Sequence, residues 1–301
     1  MPRFGEKVRT LLGLIVPAAL GAGAVQVNLL ISTALAARFL PEGSVSFLYY
    51  ADRLNQLPLG LIGIGVGTAM LPALSRQLGA GNSGAALHTQ NRAIELVLLL
   101  TLPAAAALVV SATPMIRALL EHGRFLPGDT YATATALSAF ALGLPAYVLI
   151  KVLTPGFHAR QDTATPVRIA VASMIVNLVA NLILIWPLGH VGIALGTALA
   201  AWVNAAALFV VLVRRDQFTA DARLRRAVLR LLIAAAAMVG VLLVLNPLVL
   251  PFTGGSWLTR IAALAVLLGS AGVVYLVVAR LLNIFTLAEL RSQFTRKGTI
   301  S

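Results

Sequence analysis

The sequence predicts an all-α fold, a polytopic bundle of about eight membrane-spanning helices with both termini in the cytoplasm. Three observations carry that expectation. Of the 301 residues, 59% are hydrophobic and only 11% charged, where a soluble domain carries about 25% charge. Apolar runs of about 20 residues recur along the chain, each long enough to cross a ~30 Å hydrocarbon core. The basic residues collect in alternate links, the signature of a fixed orientation in the membrane. Length alone would suggest two soluble domains, but a mean hydropathy of +0.92 overrides it.

The basic first ten residues lead into the apolar run Leu11–Ala37. That run exceeds a signal-peptide core and no small-residue cleavage site ends it, so it reads as a spanning helix. The further spans are Ser44–Leu78, Asn91–Ser111, Tyr131–Leu153, Pro166–Trp186, Val191–Val213, Ala227–Leu248 and Trp257–Leu282. The links are short and rich in turn residues, such as Pro41-Glu42-Gly43 and Pro187-Leu188-Gly189, which predicts antiparallel neighbours.

Most of the 23 Lys and Arg residues fall on one side, in the N-terminus, the second, fourth and sixth links, and the C-terminus. The other side has Arg38, Arg53, Arg117, Arg124 and Arg260. The net charge of +13 is therefore mostly a topology signal and a match to anionic membrane lipids. No basic and aromatic surface stands apart from the membrane links, which argues against nucleic acid as a partner. Without cysteine there are no disulfides or thiolate metal sites. His88, His122, His158 and His190 lie in four different links, so the sequence shows no metal cluster. No catalytic triad or phosphate loop stands out, and no enzyme is expected.

The first helix carries Gln26, Asn28, Ser32 and Thr33. Asn28 and Ser32 share a face, where they either bond neighbouring helices or line a water-filled cavity. The second helix is the unusual one. Tyr49, Arg53 and Gln56 form one stripe, with Asp52 turned about 100° away. Arg53 lies ~13 Å along the axis from Ser44. An arginine at that depth either snorkels, forms a structural ion pair, or serves function. Its planar fork of donors suits phosphate. Pro58 lacks the N–H that would bond the Leu54 carbonyl, which predicts a kink. Gly60, Gly63, Gly65 and Gly67 allow close helix approach. No strand precedes them and no lysine follows, so they do not form a nucleotide loop.

Glu95 near the end of the third helix reads as a solvated charge or a gate contact. Lys151 and Arg160, placed in the fourth link, read as membrane anchors or as a cytoplasmic gate that first meets a headgroup. Asn177 and Asn181 share a face and, with Thr197, either bond across helices or offer oxygens to a cation. Asp216 to Arg230 reads as an Arg-rich linker on anionic headgroups. The last two helices are almost pure Ala, Leu and Val.

Two long motifs carry a resemblance. The stretch Gly43 to Pro58, GSVSFLYYADRLNQLP, with its glycine-rich continuation to Ser75, and Val152 to Pro166, VLTPGFHARQDTATP, resemble the MurJ (MviN) family of lipid II flippases. That family belongs to the multidrug/oligosaccharidyl-lipid/polysaccharide exporter superfamily. The resemblance covers the whole chain but only part of a fourteen-helix architecture. Residues 1–215 resemble the second six-helix lobe, and residues 216–301 the basic linker plus two helices forming a lipid-tail groove. The resemblance implies that the first lobe is absent from this chain and is a partner supplied in cis or in trans.

It further implies translocation of the undecaprenyl-diphosphate-linked peptidoglycan precursor, lipid II, by alternating access. Arg53 then matches a cavity arginine, and Tyr49, Asp52, Gln56 and Asn28 are its candidate companions around substrate. Some family members resemble sodium-binding proteins with carboxylates on three helices of this lobe. The matching helices here offer Thr33, Asn181 and Thr197, with Asn177 beside them. The absence of a carboxylate argues against a sodium site; no cofactor is expected, and the driving force expected is membrane potential or a monovalent cation. The other readings are a different exporter of the superfamily, or a membrane scaffold that transports nothing.

Overall fold

The structure, a computed structural model, describes residue 26 and residues 28–283, without the side chains of residues 64–68. The predicted first span lies largely outside these residues. Its described part is helix α1, Asn28–Phe39. Ten α-helices follow one another among the described residues: after α1 come α2 (Ser44–Gly79), α3 (Ser83–Val110), α4 (Ala112–Leu120), α5 (Pro127–Ala141), α6 (Leu144–His158), α7 (Ala164–Leu188), α8 (His190–Arg214), α9 (Ala222–Val249) and α10 (Trp257–Leu281). A 3-10 turn, Leu250–Gly254, links the last two. Among the described residues, six segments are long and apolar enough to cross a membrane: α3, the combined α5–α6, α7, α8, α9 with its 3-10 turn, and α10.

Two expected boundaries moved, for a local reason in each case. The predicted span Tyr131–Leu153 is two helices, broken at Leu142 and Gly143. Pro145 has no N–H to give the Ala141 carbonyl, so the hydrogen-bond ladder stops there. The predicted link after Ser111 contains α4, whose Ile116 is fully buried. The expected bend in α2 is not a break, since one helix runs through Pro58 and Pro72. At 36 residues it is ~54 Å long, more than a hydrocarbon core requires.

Packing follows the hairpins. α7 and α8 turn at Gly189, which sits at φ +58°, and they lie against each other along their length. Gly192 and Gly196 make that possible. A Cβ on Gly192 would stand 2.2 Å from the Leu184 carbonyl oxygen, and one on Gly196 would stand 2.3 Å from Asn181 Oδ1. This is a small-xxx-small contact of the kind that lets membrane helices approach closely. Two large clusters make up most of the buried core among the described residues, with smaller ones around Ile185 and Ala201. One large cluster gathers Leu74, Val97, Val152, Phe157, Leu212 and Leu231, and the other gathers Ala51, Leu108, Ile116, Leu137 and Phe140.

The hairpin of α9 and α10 docks on α3 through carbonyls that prolines have freed. Pro103 cannot donate to Leu99, and the Tyr275 hydroxyl donates to that carbonyl at 2.8 Å. Pro114 likewise leaves Val110 open, and Asn246 Nδ2 donates to it at 2.7 Å, while Ser111 Oγ bonds Asn246 Oδ1 at 3.0 Å. In lipid an unmet carbonyl has no water to turn to. Tyr275→Phe should therefore lower stability by about 1–3 kcal/mol. Thermal unfolding of the purified chain in detergent, with Tyr275→Phe against the parent, measures it.

Candidate functional site

The described face of α2 that packs on no other helix carries Tyr49, Arg53, Gln56, Leu57 and Leu61, all exposed, while Ala51 and Asn55 on the opposite face are buried. The backbone of α2 thus turns one stripe into the helix bundle and the other away from it. Arg53 makes no hydrogen bond or ion pair among the described residues. Its guanidinium carbon lies 5.0 Å from the centre of the Tyr49 ring, a cation–π contact that orients the fork without using its N–H donors. Asp52, half-buried, accepts a hydrogen bond from Gln56 Nε2. The sequence grouped Gln56 with Arg53. The structure pairs it with Asp52, because residues four apart lie one above the other on a helix.

Lys151 is a helical residue, not part of a link. It belongs to α6, two turns before the helix ends at His158. Its side chain lies across α2: a Cβ on Gly63 would stand 2.7 Å from Lys151 Cδ and 2.9 Å from Nζ. Gly63 is thus a seat for a lysine stem, which its sequence context did not announce. Lys151 is exposed and has no hydrogen bond or ion pair among the described residues. Gly63 lies ~15 Å along α2 from Arg53, so two cations stand at different depths of the bundle.

Arg160 is committed elsewhere. Its Nη1 donates to the Gly156 carbonyl at 2.6 Å and its Nη2 to the Gln217 carbonyl at 3.3 Å. Partial burial lowers its pKa from the ordinary value. It ties the end of α6 to the linker after α8, which supports an anchoring role rather than a gate. Beside it, Arg215 Nη1 meets Asp162 Oδ2 at 2.7 Å. Burial pushes the Asp162 carboxyl up, but the Thr165 hydroxyl and N–H and the Arg215 guanidinium hold it below its usual range.

Glu95 is not a solvated end charge. It is 7% exposed and pairs with Arg92 and, at 3.4 Å, with Arg223. Arg92 also meets Asp221, the residue that caps α9 by accepting from the Leu224 N–H at 2.6 Å. The expected linker Asp216 to Arg230 is consequently helical from Ala222 onward, because an Asp cap starts the helix there.

The polar cluster of α7 and α8 recruits Ser32, not Thr33. Thr33 is exposed and its hydroxyl bonds the Leu29 carbonyl at 2.8 Å on its own helix. Asn181 Nδ2 donates to Ser32 Oγ at 3.0 Å and to Asn177 Oδ1 at 2.9 Å, and Asn177 Nδ2 donates to Thr197 Oγ1 at 3.2 Å. Asn177 and Asn181 are both fully buried. Asn28, one turn before Ser32, keeps its Oδ1 buried without a partner among the described residues. No group of three His, Cys, Asp or Glu side chains among the described residues could hold a metal ion.

Comparison with known proteins fits this geometry. The family profile described as Lipid II flippase MurJ matches residues 2–263. The chain is 42% identical over 298 residues to the probable lipid II flippase MurJ of Rhizobium tropici, covering 98% of this chain and 56% of that protein. It is 43% identical to the corresponding protein of Rhizobium meliloti (strain 1021), over 100% of this chain and 56% of that one. The chain thus spans about half the length of the curated relatives it matches. Among solved structures, one of the lipid II flippase MurJ in an inward closed conformation superposes with a TM-score of 0.72 at 26% identity, over 92% of this chain and 55% of that chain. An outward-facing multidrug resistance MATE family transporter superposes at 0.58 with 18% identity, a likeness of fold alone.

Proposed function

We propose a function from the fact that this chain belongs to the MurJ family of lipid II flippases, multi-pass proteins of the bacterial cytoplasmic membrane. In that reading residues 1–215 form one lobe of the transporter, residues 216–301 add a two-helix hairpin, and the open face of α2 looks onto a second lobe, in the same polypeptide or another. Lipid II is the substrate, moved from the inner to the outer leaflet by alternating access, with no chemical step. The observation that carries the reading is the Arg53 guanidinium, exposed on the unpacked face of α2 and oriented by Tyr49.

A diphosphate brought against that face meets a fork whose donors are unoccupied, and charge-assisted bonds to phosphate are strong in a site sheltered from water. Lys151, on the Gly63 seat, offers a second cation nearer the arginine-rich end. The diphosphate would meet Lys151 first and Arg53 deeper, while Asp52, Gln56 and Asn28 offer polar contacts to the sugar. Both termini lie in the cytoplasm in this reading, as the basic links require.

The test is rescue of cells depleted of their lipid II flippase, by this chain alone and with a matching first lobe supplied in trans. Rescue only with the added lobe supports the lobe reading. Rescue by the chain alone removes the need for a second lobe. Failure of both, with the protein stably inserted, favours a scaffold.

The cluster around Asn181 bears on the driving force. A sodium ion needs oxygens with spare electron density, preferably a carboxylate. Here Asn177 Oδ1 and Thr197 Oγ1 already accept amide hydrogens, and the unpaired buried oxygen of the cluster is Asn181 Oδ1, facing Gly196. The cluster does not fit sodium, and we assign it to holding α1, α7 and α8 together, with membrane potential as the driving force. The unfolding temperature of the purified chain should be the same in sodium as in choline at equal ionic strength. A rise specific to sodium would overturn the assignment.

A further inference from the structure

We propose that the pocket enclosed by α3, α6, α8 and α9 holds one acyl chain of an anionic glycerophospholipid whose phosphate rests on Arg225. The cavity measures about 440 Å³, within the range of pockets that bind small ligands. It is lined by Leu98 of α3, Leu149 of α6, Trp202 and Phe209 of α8, and Leu224 and Arg225 of α9. Arg225 is the one charged residue in the lining. Its guanidinium has no hydrogen bond or ion pair among the described residues, and it is exposed.

The occupant follows from that arrangement. Trp202, Phe209 and Val210 are 43%, 38% and 43% exposed on the outer side of apolar helices, where a membrane protein meets lipid tails. The charged end lies in the first turn of α9, where Arg226 follows Arg225. An apolar slot with a cation at one end complements an anionic headgroup with its tail attached. From Trp202 to Val210 the slot follows α8 for ~12 Å, the reach of a chain rather than of a headgroup. No residue of α2 lines it, so it is separate from the face bearing Arg53. The bound lipid would fill the gap between α8 and α9, a pair otherwise joined mainly through α3 and α6.

The test uses Trp202 as reporter and needs no transport. In a chain carrying Trp186→Phe and Trp257→Phe, Trp202 is the remaining tryptophan. The protein is reconstituted into phosphatidylcholine vesicles containing a small fraction of either brominated phosphatidylglycerol or brominated phosphatidylcholine, and quenching is compared. The expected result is about a fivefold preference for the phosphatidylglycerol, the size of effect one basic residue gives at an anionic surface. Arg225→Gln should remove the preference while leaving ordinary quenching intact, and Ala206→Phe, which fills the slot, should weaken quenching by both lipids. Equal quenching by the two headgroups in the parent would overturn the proposal, as would a preference that survives Arg225→Gln. Quenching undiminished by Ala206→Phe would place the tail elsewhere and overturn it too.

Discussion

Arg53→Ala is expected to abolish rescue of flippase-depleted cells while the protein stays inserted at parental levels. The two halves of that result come from the same geometry. Arg53 is exposed and its contact within the chain is the Tyr49 ring, worth about 0.5–1 kcal/mol at an exposed site. Removing it costs the fold little. It costs a diphosphate its charge-assisted bonds, each worth about 1.5–3 kcal/mol, or roughly a tenfold to hundredfold loss of binding. Arg53→Lys keeps the charge but not the planar fork, so it should restore only part of the rescue. Membrane levels by immunoblot accompany each rescue assay. Full rescue by Arg53→Ala at normal levels would take Arg53 out of the substrate path.

How much of this was legible beforehand varies by element. The all-helical class came through because apolar runs in a membrane admit little else, whereas the break at Leu142 and Gly143 and the short helix α4 did not. The stripe on α2 came through because helical spacing fixes which residues share a face. The pairing of side chains did not. Ser32 and Thr33 are adjacent and alike in sequence, and which of them meets Asn181 depends on a rotation of α1 that only packing sets. Glu95 read as solvated because its partners, Arg92 three residues away and Arg223 far along the chain, come together only when α9 docks. Lys151 read as a link residue because the helix around it contains Pro155, yet α6 continues through that proline to His158.

The sequence reading placed Asn246, with Pro247, at the outer turn and did not single out Tyr275, although a signal for the roles of both was present. Pro103 and Pro114 each announce an unmet carbonyl four residues earlier, at Leu99 and Val110. A chain in lipid must then supply a donor from elsewhere. The few polar residues in an otherwise apolar hairpin are where such donors would come from, and these two supply them.

The largest structural effect should come from Gly192→Val. A Cβ at that position would stand 2.2 Å from the oxygen and 2.5 Å from the carbon of the Leu184 carbonyl. Those atoms are helix backbone, and no side-chain rotation relieves the clash. α7 and α8 must separate at their closest point. The separation also draws Asn181 away from Gly196 and disturbs its bonds to Ser32 and Asn177, one turn further along. Overpacking a core site commonly costs about 1–3 kcal/mol, and a clash against backbone with loss of a buried polar cluster should exceed it. Gly192→Val should therefore fail to accumulate in the membrane or unfold well below the parent in detergent. Gly240→Val is the control, since a Cβ there meets nothing within 4 Å, and it should behave as the parent does. If both variants behaved alike, the close contact of α7 with α8 would not be what holds this part of the bundle together.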